Sequence, residues 1–529
     1  MNDPVTALHA TVSAAVSGLT GGEAPELGLE RPGNAAHGDY ATSVAMRLAP
    51  LLGKAPRDIA QLLADVLVAD PAIASVEIAG PGFINLRLAA SWYHQALSDM
   101  LSAGAQFGRS VVAAGDEILV EFVSANPTGD LTIGSARNAA YGDSVARLLT
   151  FVGEQVTREY YFNDAGNQIA LFGQSVQARR LGAEIPEGGY PGDEVGELAA
   201  ALDLPDDASL AEWTARGIEA MMVRIRGSLE RMRVTFDLWT SEQTLHASGA
   251  VQKAIAQARS EGHVFEQAGA TWLRTTSFGD DKDRVLLKAD GELTYFAADL
   301  AYVGLKFERG AARALYVLGA DHHGYISRLK AGAACLGYDP ERVEVLIYQL
   351  VTVSGERMGK RRGNVITLDG LADAIGVDAA RFFLVQRSHD QMLDIDLDLA
   401  VETSSKNPVF YVQYAHARCQ SILRKAQADG LTTTGTGPAH APEPQEAALI
   451  RRLAEWPDVV ATAADLRAPH RIVTWTQELA ADFHAFHHDL FVLHEDEEIR
   501  AFRLSAVAAT GEAIARALDV IGVAAPDSM

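Results

Sequence analysis

The hydrophobic pattern changes period abruptly between residues 118 and 169. Ile118, Leu119, Val120, Phe122 and Val123 form a nearly continuous apolar run, the pattern of a buried strand. The run stops at Asn126-Pro127-Thr128-Gly129-Asp130, a cluster of turn formers. From about Gly134 the apolar residues Tyr141, Val145, Leu148, Leu149 and Val152 recur at helical spacing, and Val156–Phe162 returns to strand character. Such a β-loop-α-β unit sets the loop at the carboxyl end of a parallel strand and at a helix N-terminus. Unpaired N–H groups and the positive end of the helix dipole suit that place to a nucleotide. Many unrelated α/β enzymes have this turn, so the pattern alone fixes no activity.

The flanking patterns predict three units. Residues 1–110 begin with a helical segment (Val5, Leu8, Val12, Val16) and end with a strand pair, Val76–Leu88, around Gly80-Pro81-Gly82-Phe83. Between them Ala36–Ala41 precedes an amphipathic helix, so a small α+β domain is expected, with the His37-Gly38-Asp39 turn capping a helix. Residues 111–395 read as a Rossmann-like parallel-sheet domain of the α/β class with a helical insertion at about 170–235. The insertion holds a helix over Ile169–Leu181, an irregular Gly182–Glu194 and further helices to about Met232. Strands are expected at Phe236–Trp239, Asp280–Leu287, Leu293–Phe296 and Ala314–Leu318. Residues 396–529 read as a helical bundle, with a Gly/Thr/Pro-rich linker at Gly430–Gln445 and helices over Glu446–Ala464, Ile472–His488 and Ile499–Ile521.

Size and charge narrow the picture modestly. A chain of 529 residues accommodates three domains with real cores. The net charge of −24 argues against sequence-independent nucleic-acid binding over a large surface, while leaving room for local basic patches. It also serves solubility. Cys335 and Cys419 lie far apart without ligand spacing, which argues against zinc or a disulfide framework. The N-terminus shows no basic-then-apolar leader and no 18-residue apolar stretch occurs, so a cytoplasmic protein without a membrane partner is expected. Nothing marks an assembly interface, and a monomer is the default.

Ala125–Gly129, then Arg158-Glu159-Tyr160-Tyr161 and Asn163-Asp164-Ala165-Gly166-Asn167-Gln168, resemble the first signature region of class I aminoacyl-tRNA synthetases, the arginine-specific branch in particular. The resemblance runs from about Leu8 to Pro526. Two places usually held by histidine carry Thr132 and Ser135; Asp130 stands where proline is usual and Asn138 where glycine is. By this resemblance Gly129, Thr132, Gly134 and Ser135 bind ATP. A loop at Glu356–Asn364 resembles the mobile Lys-Met-Ser-Lys loop of the class, here Arg357-Met358-Gly359-Lys360. Its task is to place positive charge on the β- and γ-phosphates as pyrophosphate leaves. Met358 and Lys360 therefore join the ATP set, and Thr132, Ser135 and Lys360 are the catalytic candidates.

Three further pieces bear on the amino acid: Ser241-Glu242, Thr294–Asp299 and Gly319–Tyr325. An arginine side chain is planar, always charged and carries five N–H donors, so a selective site needs acceptors in its plane. A bidentate carboxylate refuses lysine better than a point charge does. The resemblance implies that Asp299 and Glu242 meet the guanidinium and the α-ammonium side. Tyr295, at i relative to Asp299 at i+4, would pack and hydrogen-bond. His322 would close the pocket, and Asn126, with Ser124 beside it, would hold the backbone amine. His322 and His323 are adjacent and lack carboxylates at ligand spacing, so no protein metal site is expected; Mg2+ would enter with ATP as a substrate complex. The first unit would contact the tRNA elbow, with Asp39 as a candidate. The bundle would bind the anticodon, with Arg418, Arg471 and Trp475 touching RNA by phosphate contact and stacking. His487-His488 stand where the family often has Tyr-Asn.

The implied reaction joins L-arginine to its tRNA through an arginyl-adenylate, by positioning and charge stabilisation rather than covalent catalysis. Losing one preorganised donor typically costs roughly 10²–10³ in rate. Thr132 and Ser135 still donate, but they are shorter and uncharged. Three readings therefore stay open from sequence: a ligase with an altered ATP site, a paralogue that binds arginine or tRNA without activating anything, and a ligase with another acceptor. Retention of both flanking domains speaks against the last.

Overall fold

The computed structural model describes residues 3–22, 28–109, 115–354, 366–431 and 440–529. Its centre is a five-stranded, wholly parallel sheet. The spatial order is Val343–Tyr348, Arg313–Gly319, Glu117–Glu121, Gln155–Phe162, Leu238–Ser241. In chain order the winding starts in the middle, runs to one edge, returns and runs to the other. The reversal falls between Glu117–Glu121 and Arg313–Gly319, so the crevice beyond their carboxyl ends is the switch point where such sheets bind ligands.

The helix Ile133–Phe151 makes the first crossover and is buried along nearly its whole length. Small residues allow this: Ala136, Ala139 and Ala140 are fully buried, and a Cβ on Gly142 would stand 2.5 Å from the Phe122 side chain. The second crossover carries the insertion, with helices Asn167–Leu181, Asp193–Ala201 and Leu210–Arg231; a Ser209–Glu212 capping box starts the last. A small antiparallel sheet (Val264–Gln267, Ala270–Leu273, Arg284–Leu287) lies between the third and fourth strands of the main sheet in chain order.

Three sequence expectations shift here, the first being that the strand expected over Asp280–Leu287 covers only Arg284–Leu287. Leu293–Phe296 is not a strand: Leu293 makes one isolated bridge to Leu287, and Thr294 then caps the helix Tyr295–Glu308 by accepting the Ala297 N–H. The capping hydroxyl outweighs the local β-propensity of the run. The expected strand at Phe236 begins two residues later, at Leu238, and Phe236 packs on Phe122 and Tyr160 instead.

The N-terminal unit is a four-stranded antiparallel sheet under the helices Pro4–Thr20, Val44–Leu52, Pro56–Leu67 and Ala90–Ala103. Asp39 caps no helix. It accepts the Leu88 N–H at 2.8 Å and pairs with Arg451 of the C-terminal bundle at 2.5 Å. The bundle comprises Pro408–Ala428, Pro444–Ala454, Trp456–Asp465, His470–Asp489 and Glu497–Val520. The single helix expected over Glu446–Ala464 is two, because Pro457 cannot continue a helix but suits the first turn of a new one. The three units interlock through Arg31–Glu455, the Trp456 indole N–H on Phe107 O, and Tyr141 Oη on Arg467 O. No described helix is long and apolar enough to cross a membrane.

Candidate active site

The first central strand ends in a strained turn. Val123 (φ +67°) and Ser124 (φ +44°) are consecutive non-glycine residues in the left-handed region, at a cost of about 1–3 kcal/mol each. Side chains hold them there. The Val123 N–H donates to Asn138 Oδ1 at 3.0 Å, and Ser124 Oγ donates to Glu121 at 3.0 Å while accepting the Tyr161 N–H. Tyr160 Oη donates to Ala125 O at 2.8 Å and accepts the Ala125 N–H at 3.2 Å. Asn126 then donates to Gln168 at 2.9 Å and accepts the Asn163 N–H. Ala125–Gly129 and Arg158–Gln168 are thus two halves of one structure, which explains their joint occurrence in the sequence.

The acidic side is built on the neighbouring strand ends. Asp164 accepts from Ser241 Oγ (2.6 Å) and the Gln243 N–H (2.9 Å), fixing the corner that bears Glu242. Glu242 is 7% exposed and accepts the Tyr161 phenol at 2.8 Å, with His246 at 3.8 Å. Asp299 accepts the Tyr325 phenol. Burial pushes the Asp299 carboxyl up to about 6, and Glu242 and Glu121 push the same way, against the Tyr325 hydrogen bond and Arg328. Below lies a buried ion cluster: Lys306 Nζ meets Glu159 at 2.6 Å and Glu121 at 2.9 Å, over the rings of Tyr302 and Tyr316. Burial alone would raise Glu159, yet Lys306, Thr240 and Arg309 outweigh it and hold that carboxyl near 2. Tyr295 stands at the mouth, 70% exposed, one helical turn from Asp299, its hydroxyl above Gly166. His322 is exposed on the short 3-10 helix Ala320–Tyr325, with Asp321 at 3.4 Å.

On the nucleotide side, Thr132 is the N-cap of Ile133–Phe151. Its hydroxyl accepts the Ser135 N–H and lies 3.4 Å from Ser135 Oγ. Gly134 sits in the same first turn. The loop is stapled to residues 366–368: the Ile133 N–H donates to Ile366 O at 2.9 Å and the Leu368 N–H to Leu131 O at 2.7 Å. Met358 and Lys360, just before that staple, lie outside the described residues. A cleft of about 910 Å³ is lined by Asn126, Gly129, Asp130, Thr132, Ser135 and Thr367, among others. Asp130 grips Arg224 of the insertion through both oxygens, at 2.5 and 2.9 Å. Among the described residues no three His, Cys, Asp or Glu side chains cluster to hold a metal.

The remaining candidates scatter. Trp475 is 2% exposed, donates to Arg452 O and packs on Trp456, so it belongs to the bundle core and offers no stacking face. Arg471 is exposed. Arg418 is half-buried, bonded to the Tyr414 phenol at 2.6 Å. Sequence reasoning missed the cavity beside it, about 510 Å³, which Lys425, His487, His488 and a 67%-exposed Phe491 share with Arg418. It also missed Tyr161, Tyr325, Asp164 and Glu121. The first three stood inside quoted motifs, but their partners are distant in sequence.

The parallel sheet with its switch-point loop matches the class I tRNA synthetase catalytic domain, and the appended bundle an anticodon-binding domain. Three family profiles match: arginyl-tRNA synthetase N-terminal domain over residues 6–88, class I (R) tRNA synthetase catalytic domain over 96–183 and 215–420, and DALR anticodon-binding domain over 412–529. An arginine–tRNA ligase of Frankia alni is 49% identical over 520 residues, covering 95% of this chain and 94% of its own length. Thermus thermophilus arginyl-tRNA synthetase superposes with a TM-score of 0.79 at 24% identity, over 99% of this chain and all of that one. The Plasmodium falciparum arginyl-tRNA synthetase does so at 0.76 and 13% identity, over the whole of both chains. The chain belongs to the arginyl-tRNA synthetase family.

Proposed function

We propose that this chain ligates L-arginine to tRNA in two ATP-driven steps, with the arginine held between Glu242 and Asp299. The observation carrying this reading is that pair of carboxylates, Glu242 buried and Asp299 half-buried, held by tyrosine phenols while the nearby Lys306 is occupied by Glu121 and Glu159. An acidic site kept open in this way is completed by a bound cation. A planar guanidinium can address two acceptors at once, whereas a single ammonium is a poorer match. Ser124, Asn126 and Gln168 then face the α-amino end, Tyr295 covers the stem and His322 closes the mouth.

In the first step an arginine carboxylate oxygen bonds to the α-phosphorus of ATP, and the bond to the bridging oxygen of pyrophosphate breaks. The Thr132 and Ser135 hydroxyls and the helix N-terminus behind them donate to phosphate oxygens as charge builds. Lys360 supplies the cation on the departing side, and Mg2+ arrives with ATP as part of the substrate. In the second step the terminal ribose hydroxyl of tRNA attacks the arginyl carbonyl and AMP leaves. On the bundle, the cavity of Arg418, Lys425, His487, His488 and Phe491 offers phosphate contacts and an open aromatic face to single-stranded RNA; Arg471 lies exposed on the same domain. The binding-only alternative is not favoured, because a 49%-identical arginine–tRNA ligase is matched over 94% of its length.

The test is charging of homologous tRNA with labelled arginine, wild type beside Asp299→Asn. Wild type charges; the variant leaves a buried cation half-paired, and its arginine KM rises by about 10² or more. An unchanged arginine KM in the variant would overturn the pocket assignment.

A further inference from the structure

The two strands that flank the crevice stop pairing just where the pocket begins. Their ladder runs from Arg313–Ile118 to Tyr316–Glu121. One step further the chains diverge, into Val123-Ser124 on one side and Val317–Gly319 on the other. The gap is bridged by a side chain from the helix beneath. Asn138, 4% exposed, accepts the Val123 N–H on Oδ1 at 3.0 Å and donates from Nδ2 to Val317 O at 3.0 Å.

Each bridged residue leads directly into one wall of the pocket. Val123 opens the left-handed turn that presents Ser124 and Asn126. Val317 lies two residues before Gly319, where the 3-10 helix carrying His322 and Tyr325 starts. The helix bearing Asn138 is anchored independently: Arg137 donates to Gln349 O at 2.7 Å and Ser388 O at 2.9 Å, and Tyr141 to Arg467 O at 2.7 Å. The ATP-side hydroxyls have their own staple to residues 366–368.

We propose that Asn138 is a positioning residue that sets the width of the arginine pocket, by fixing the Ser124–Asn126 wall relative to the His322–Tyr325 wall. The proposal rests on the assignment of arginine to Glu242 and Asp299. Glycine at this place leaves the Val123 N–H and the Val317 carbonyl without their bridge. Aspartate keeps the acceptor for Val123 but turns a carboxylate oxygen on the Val317 carbonyl, pressing the walls apart. A shift of about 1 Å in a substrate-positioning group is enough to cost about 10²-fold in rate.

The experiment is steady-state aminoacylation by Asn138→Asp and Asn138→Gly, with arginine and ATP varied separately and melting temperatures recorded. The expected result is a fall of about 10²-fold in kcat/KM for arginine, narrowed discrimination against lysine, and an unchanged KM for ATP. Equal changes in both KM values would overturn the proposal, as would a lower melting temperature with both values intact; Asn138 would then only support the fold. Should the first two variants unfold at the assay temperature, Asn138→Ser, a smaller polar side chain one bond too short for either backbone, carries the same comparison. Asp299→Asn is run alongside. If it leaves the arginine KM untouched, the pocket assignment has failed; if it raises that KM while the Asn138 variants do not, only this inference has.

Discussion

The arginine side and the nucleotide side of the crevice are built on different principles, although only the turn from Asn126 to Thr132 separates them. On the arginine side, carboxylates sit buried or half-buried and are held by partners on other elements: Glu242 by Tyr161, Asp299 by Tyr325 and Glu121 by Lys306, with Ser124 tied back to Glu121. On the nucleotide side, two hydroxyls stand at an open helix end, and their acidic neighbour Asp130 is tied outward to Arg224. The difference follows from what each side must recognise. Selecting one cation among similar amino acids needs fixed acceptors in a low-dielectric site. Stabilising a spread-out phosphate charge tolerates donors of several kinds, including a helix N-terminus.

The comparison breaks hardest at Lys306. Lys306→Met leaves Glu121 buried without its cation and Glu159 with Arg309 alone, and costs roughly 3–5 kcal/mol of stability, read by chemical denaturation. A loss below about 1 kcal/mol, the scale of a surface pair, would show that the arginine side is not held by charge. A second test uses pH. Asp299 is raised from 3.8 to about 6, so in the empty protein its neutral form persists to higher pH than in the unfolded chain. That contribution to stability is present below 3.8 and is lost as pH rises through about 6. Bound guanidinium reverses the preference. Arginine KM is therefore flat above about 7 and rises about tenfold per unit below 6, while the KM for ATP shows no such break. The smallest effect belongs to Asp130→Asn. Its partner Arg224 is more than a third exposed, so the pair contributes less than about 1 kcal/mol. The ATP KM moves by a few-fold at most and the arginine KM not at all.

Much of this was legible in the sequence, and the failures have physical reasons. The change from strand to helix period around Asn126 located the switch point, because burial on both faces of a central strand leaves a continuous apolar run. The motifs at Arg158–Gln168 and Thr294–Asp299 were readable because their working residues lie close together in the chain. Tyr325 acts on Asp299, 26 positions away, and Glu121 on Lys306 of the same helix, and both contacts exist only once that helix packs on the sheet. Trp475 looked like a stacking residue, since a tryptophan beside Arg471 fits an RNA surface as well as a helical core; packing on Trp456 decides the matter. Asp39 looked like a turn residue and proved to be a strut between domains, with a partner 412 positions away.

The account stands or falls on whether hydroxyls suffice where imidazoles are usual. The most direct measurement is aminoacylation of tRNA by the wild type and by Thr132→His/Ser135→His, at saturating arginine and varied ATP. The account predicts that the wild type charges tRNA and that the double variant leaves the arginine KM unchanged, with kcat altered by less than the roughly 10²-fold assigned to a single lost donor. Charging by the double variant alone would contradict it, and would mean an intact arginine pocket beside a nucleotide site that does not work.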